Sequence, residues 1–121
     1  MAIKSKTIHD GQIAIIELKG SLVGDGDTDV FRDEVDDFLE QGSRYLIIDL
    51  QKVNYMNSSG LGALLSAQTN FKKNGGEIKL VGVGKNIQNL LTVTRLINIF
   101  DVKESIDKAV ESFVIKNSNS Q

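Results

Sequence analysis

The sequence predicts an α/β fold: a small mixed sheet, mainly parallel, with helices packed against it. Two apolar runs, residues 13–18 (I-A-I-I-E-L) and 44–50 (R-Y-L-I-I-D-L), are nearly continuous, as in strands covered on both faces. Segments with the helical repeat separate the later strands, and strands alternating with helices imply parallel crossovers of right-handed sense. An Asp10-Gly11 pair ahead of the first run marks a hairpin, which adds one antiparallel strand.

Taken in order, residues 2–8 alternate weakly and read as the first strand, and residues 13–18 as the second, ended by Lys19-Gly20. Residues 21–29 read as a polar loop with Gly24 and Gly26. A helix is expected from about Thr28 to Gln41, with Phe31, Val35, Phe38 and Leu39 on its apolar side and Gly42 as its stop. Residues 44–50 form the third, central strand. Val53–Leu65 (V-N-Y-M-N-S-S-G-L-G-A-L-L) reads as a loop turning into a helix whose face carries Leu61, Leu64, Leu65, Gln68 and Phe71. Asn74-Gly75-Gly76 supplies a left-handed cap. Residues 77–81 (E-I-K-L-V) are the fourth strand. A helix after Gly84 turns Ile87, Leu90, Leu91 and Thr94 inward, and residues 98–100 add a short edge strand. Asp101-Val102-Lys103-Glu104 matches a D-x-x-E capping box before a last helix carrying Ile106, Ala109, Val110 and Phe113. One domain over residues 1–116 is expected, with 117–121 (N-S-N-S-Q) a disordered tail.

Composition narrows the function. With 121 residues, 40% apolar and 25% charged, the chain suits one globular domain. It lacks an apolar run long enough to span a membrane, and its N-terminus does not resemble a signal peptide, so a cytoplasmic setting is expected. The absence of cysteine removes disulfides, zinc–thiolate sites and thiol nucleophiles. Charge is unevenly spread. Residues 24–40 hold eight acids and only Arg32, a net −7, which leaves +5 elsewhere in a chain of net −2. An acidic surface there disfavours nucleic acid and suits either a basic protein partner or simple solvation.

Candidate chemistry is sparse. Asp25, Asp27 and Asp29 have calcium-loop spacing, but Val30 and Asp36 stand where an EF-hand needs glycine and glutamate. Helix capping explains these acids better. His9, the single histidine, has no partner in sequence and reads as a surface residue. Asp49, inside an apolar strand, suits a structural carboxylate accepting loop N–H groups better than a metal or catalytic one. Gly82 and Gly84 in V-G-V-G-K are too few for a phosphate cradle, and S-G-L-G lacks the glycine that a nucleophile elbow places two residues before its serine. No cofactor and no enzymatic activity are expected.

Ser58 stands out. Just ahead of Gly60 and an apolar helix face, its hydroxyl suits an N-cap, which stabilises by about 0.5–2 kcal/mol. A hydroxyl there also suits a phosphoryl group, which adds about −1.5 to −2 charges that helix amides tolerate locally. Gly60 and Gly62 allow close approach of a partner, and Met56, Leu61 and Leu64 offer apolar contact, although packing in the core is the plainer fate of the two leucines.

The stretch Y-M-N-S-S-G-L-G-A-L-L, preceded by L-I-I-D-L and followed by N-G-G-E-I-K-L-V, resembles STAS domains. More narrowly, it resembles the small bacterial anti-sigma factor antagonists, over about residues 8–113. The segment I-Q-N-L-L-T-V-T-R-L-I-N-I-F is similar to that family's third-helix region. The resemblance implies a non-enzymatic regulator that binds an anti-sigma factor which is also a serine kinase, so freeing the sigma factor. The kinase phosphorylates the first serine of D-S-S-G or D-S-x-G, binding is lost, and a phosphatase restores it. Carried onto this chain, the acceptor is Ser58, and Met56, Asn57, Ser59, Gly60, Leu61 and Gly62 form the surrounding partner-binding loop and helix. Two departures stand out. Asn57 replaces the usual aspartate, and Val23 stands where the family often has an acid. The alternative is a STAS scaffold or adaptor, never phosphorylated, in a signalling complex or transport system.

Overall fold

The computed structural model describes residues 2–119. Five strands, β1 (Ala2–Ile8), β2 (Ile13–Leu22), β3 (Tyr45–Met56), β4 (Glu77–Val81) and β5 (Asp101–Lys103), lie side by side in chain order. The β1–β2 pair is antiparallel and the other three pairs are parallel. The helices are α1 (Gly24–Glu40), α2 (Ser58–Lys73), α3 (Lys85–Val93) and α4 (Ile106–Asn119). The mixed, mainly parallel sheet expected from the sequence is therefore present. The tail expected at 117–121 begins within the last turn of α4, and residues 120–121 lie outside the described residues.

The topology follows from simple rules. The parallel strands advance in one direction across the sheet, so crossovers of one hand place every connecting helix on one face. The main core accordingly joins Phe31 and Val35 of α1, Leu64 and Phe71 of α2, and Ile87 and Leu91 of α3 to Ile16, Leu46, Ile48 and Leu80 of the sheet. The opposite face carries a smaller cluster, in which Ala109 and Phe113 of α4 cover Ile13, Ile15, Ile47 and Val81. Both faces of the inner strands are thus buried, which accounts for their unbroken apolar runs.

Several boundaries differ from the sequence reading, each for a local reason. β2 and β3 run on to Leu22 and Met56, because irregularities beyond Glu17 and Gly20 let them stay paired after their apolar runs end. Residues 21–29 are therefore not a loop: Ser21 and Leu22 finish β2, and α1 starts at Gly24, whose φ of 78° makes the corner. The N-cap of α1 is Val23, whose side chain makes no cap hydrogen bond. The edge strand is residues 101–103 instead of 98–100, so Asp101 lies in a strand and cannot open a capping box. Ser105 caps α4 instead, its Oγ accepting the Lys108 N–H at 3.1 Å. The hairpin turn does use Asp10 (φ 57°) and Gly11 (φ 84°), left-handed like His9 (φ 52°) before them, and the Gln12 N–H closes it on the His9 carbonyl at 3.1 Å.

Candidate functional site

The site forms where β3 becomes α2. Asn57, extended at φ −101° and ψ −171°, is the N-cap, and its Oδ1 accepts the Gly60 N–H at 3.1 Å. Its carbonyl accepts the Leu61 N–H at 2.9 Å, and its own N–H donates to the Leu22 carbonyl of β2 at 3.4 Å. The cap predicted for Ser58 therefore belongs to its neighbour. An amide oxygen one residue earlier reaches the third helical N–H, and Ser58 becomes the first residue of the helix.

This shift leaves the Ser58 hydroxyl outside the cap bond, on an exposed residue. The amides of Ser58 and Ser59 stand in the first turn, where a helix offers them no internal acceptor. They give the position a local positive potential, reinforced by the helix dipole. No acidic side chain lies in that first turn.

The other residues assigned to the loop divide by depth. Asn57, Ser59 and Gly62 are half-buried. Gly60 is buried, and so are Met56 and Leu61 (1% and 8% exposed), whose side chains join the main core with Leu64. β3 stays paired through Met56, which sits opposite Leu22, and both side chains are buried.

Two exposed apolar side chains here were passed over by the sequence reading. Tyr55 and Val93 are 58% and 76% exposed, and with Leu90 and Asn86 they border a hollow of about 320 Å³ between the end of β3 and α3. Past Leu50 the irregular ladder breaks strict alternation, so that Val53 and Met56 are buried while Asn54 and Tyr55 are exposed, and Val93 sits off the Ile87–Leu91 stripe of its helix. A second hollow of about 370 Å³ lies between α1 and α2, bordered by Arg32, Asp36, Gly62, Ser66 and Asn70. Gly62 thus meets a groove and Gly60 meets the core.

The remaining candidates are structural. Asp49 Oδ1 accepts the Gln51 N–H at 3.0 Å, the expected structural use of that carboxylate. His9 is exposed in the hairpin turn. Among the described residues, no group of three or more histidine, cysteine, aspartate or glutamate side chains is placed to hold a metal ion, and no helix is long and apolar enough to cross a membrane.

A five-stranded sheet with three crossover helices on one face, and a capped serine turn opening the second, defines a class of domain. The STAS domain family model matches residues 4–109. The chain belongs to the STAS domain family, with anti-sigma factor antagonists as its relatives. It is 33% identical over 82 residues to the anti-sigma-B factor antagonist of Bacillus subtilis, covering 68% of this chain and 74% of that one. It is 24% identical over 106 residues to the anti-sigma F factor antagonist of Paenibacillus polymyxa, covering 87% and 90%. Its fold matches that of the anti-sigma factor antagonist SpoIIAA. The TM-score is 0.80 to the unphosphorylated form and 0.73 to the phosphorylated Bacillus form. Identity is 16% to both, over 93% of this chain and 96% and 99% of those chains.

Proposed function

We propose that this chain is a non-enzymatic anti-sigma factor antagonist acting in the cytoplasm. Its unmodified form binds an anti-sigma factor that is also a serine kinase, and the sigma factor is released. Ser58 is the phosphoacceptor. Its Oγ bonds to the γ-phosphorus of ATP held by the kinase, its proton passes to a base of the kinase, and ADP leaves. A separate phosphatase hydrolyses the phosphoester and resets the switch.

One observation carries this reading: Ser58 is an exposed first residue of α2 whose hydroxyl is not used in the cap. Modification therefore costs the fold little, since the Asn57–Gly60 bond stays in place. The added charge is met by first-turn amides on this chain, but a partner seated against the same turn meets bulk and negative charge. The names of the relatives support the partner class, and the phosphorylated SpoIIAA structure supports a phosphate on this fold. Tyr55, Leu90 and Val93 offer that partner an apolar foothold at the end of β3, the strand that leads into Ser58. Asn57, Ser59 and Gly62 complete the contact surface.

The test is incubation with the ATP-loaded partner kinase, followed by intact mass. One added phosphate, absent in Ser58→Ala, is the expected result. No phosphate on the wild type, with binding to the kinase intact, would instead favour a scaffold that is never modified.

A further inference from the structure

Charge is divided between two sides of one hairpin. On the main-core side, α1 crosses the outer strands, and the Ser5 hydroxyl of β1 donates to the Glu34 carboxylate. The stripe of α1 facing away holds Val30, Asp33 and Asp37, at helical spacing and all exposed. Val30 is 55% exposed, an apolar residue in an acidic surround.

The opposite side of the same strands carries lysine. Lys4 stands across from Glu17, Lys6 across from Ile15, and Lys19 beside Lys52. All four lysines are exposed, and the Glu17 carboxylate among them, with Asp49 across from it on β3, is held by Lys52 at 2.9 Å. Ile15 and Ile106 border a hollow of about 320 Å³ with Lys4, Lys6 and Glu17. The hollow thus has an apolar base and a positive wall.

We propose that this lysine-walled hollow is a docking site for α1 of a second copy of the chain. Val30 meets Ile15 and Ile106, and Asp33 and Asp37 face Lys4 and Lys6. The complement of the hollow in charge and apolar content is found on the molecule itself, which is the reason for choosing a second copy over another partner. Helix and hollow are different patches on opposite faces, so the contact is heterologous and each copy adds the next head to tail. Neither patch includes any residue from 56 to 62, so the association stands apart from the Ser58 switch. The charged pairs lie at the surface, so the contact is weak and screened by salt.

Sedimentation velocity of the full chain over a concentration series tests this. At low salt the average mass is expected to rise with concentration, and at about 0.5 M salt, where screening reaches only a few ångströms, it returns to that of one copy. The double variants Lys4→Glu/Lys6→Glu and Asp33→Lys/Asp37→Lys each remain single at low salt, with circular dichroism confirming that both are folded. Mixing the two restores association, because every helix then meets a hollow of opposite charge. A wild type that stays single throughout overturns the proposal. So does association that survives in either variant alone, or a mixture that stays single.

Discussion

A carbon added to Gly60 would fall 2.3 Å from the Leu22 carbonyl oxygen, with the Met56 side chain 2.9 Å away. The first turn of α2 is therefore pressed against the end of β2, and only glycine leaves room. This contact fixes where the Ser58 turn sits relative to the sheet.

Gly60→Ala is expected to destabilise the fold by about 1–3 kcal/mol, since the opposing atom is backbone and cannot swing away. Two positions on, Gly62 has open space around its missing side chain. Gly62→Ala is expected to stabilise α2 by up to about 1 kcal/mol through helix propensity. Urea unfolding midpoints check the pair. The spacing S-G-L-G does not distinguish these two glycines; their different neighbours do.

Asn57 and Ser58 are expected to exchange the energetic roles that the sequence suggested. Asn57→Ala removes the cap and costs about 0.5–2 kcal/mol. Ser58→Ala removes no cap bond and stays within about 0.5 kcal/mol of wild type. Asn57→Asp keeps the acceptor and places negative charge at the helix N-terminus, a gain of about 0.3–1 kcal/mol. Thermal unfolding of the three variants checks this. Asparagine can replace the family's aspartate here because the cap needs only an oxygen. Under the proposed switch a carboxylate at position 57 would add its charge to that of a Ser58 phosphate, so Asn57→Asp is expected to deepen the loss of kinase binding on phosphorylation. Equal binding changes with and without the aspartate would remove that role.

Much of the fold was legible because its signals are local. Burial on both faces wrote itself into residues 13–18 and 44–50, and the Asn74-Gly75-Gly76 stop is visible as left-handed chemistry, with Gly75 at φ 78°. What stayed hidden depends on distant partners. Pairing with β2 carried β3 past Leu50 to Met56, and this alone moved Met56 inward and the cap to Asn57. The same holds for Gln68. Its Nε2 donates to the Ile99 carbonyl at 3.1 Å from the far end of α3's connection, and its Oε1 is buried with no partner among the described residues. No spacing along the sequence announces that contact. Serine followed by glycine showed where to look, and backbone pairing decided which side chain did what.

Ser58→Asp is expected to weaken binding to the kinase while leaving the unfolding midpoint close to that of wild type. The carboxylate stands at the first helical position, where the dipole favours it, so the fold tolerates the change. The partner meets a charge that this chain's amides neutralise only in part. Calorimetric titration of wild type and variant against the kinase checks the effect, and equal affinities would falsify the charge mechanism. Tyr55→Ala and Val93→Ala separate charge from docking. Each is expected to weaken binding to the kinase whether or not Ser58 is modified, because it removes apolar contact and leaves the acceptor intact.

Acid is expected to act through the opposite face, at the ion pair between Lys79 and Asp101. Lys79 is buried, with its Nζ 4.9 Å from the centre of the Phe113 ring, which stacks on Tyr45 at 4.4 Å. Burial pushes the Asp101 carboxyl up, but the hydrogen bond and charge of Lys79, helped by Lys103 at 3.5 Å, outweigh it and hold the group below its ordinary value. In the unfolded chain the carboxyl returns to about 3.9. Between the two values the unfolded chain binds more protons than the folded one, so stability rises with pH across that window. The contribution is complete above the unfolded value and is lost as pH falls through the folded one. Asp101→Asn is expected to lower stability at neutral pH, because among the described residues it leaves the buried Lys79 ammonium with only Glu77, 3.9 Å away, as an ion-pair partner. It is also expected to flatten the decline in acid. Urea midpoints of wild type and variant measured from pH 7 down to pH 3 check both effects, and parallel curves would show that the pair does not govern acid stability.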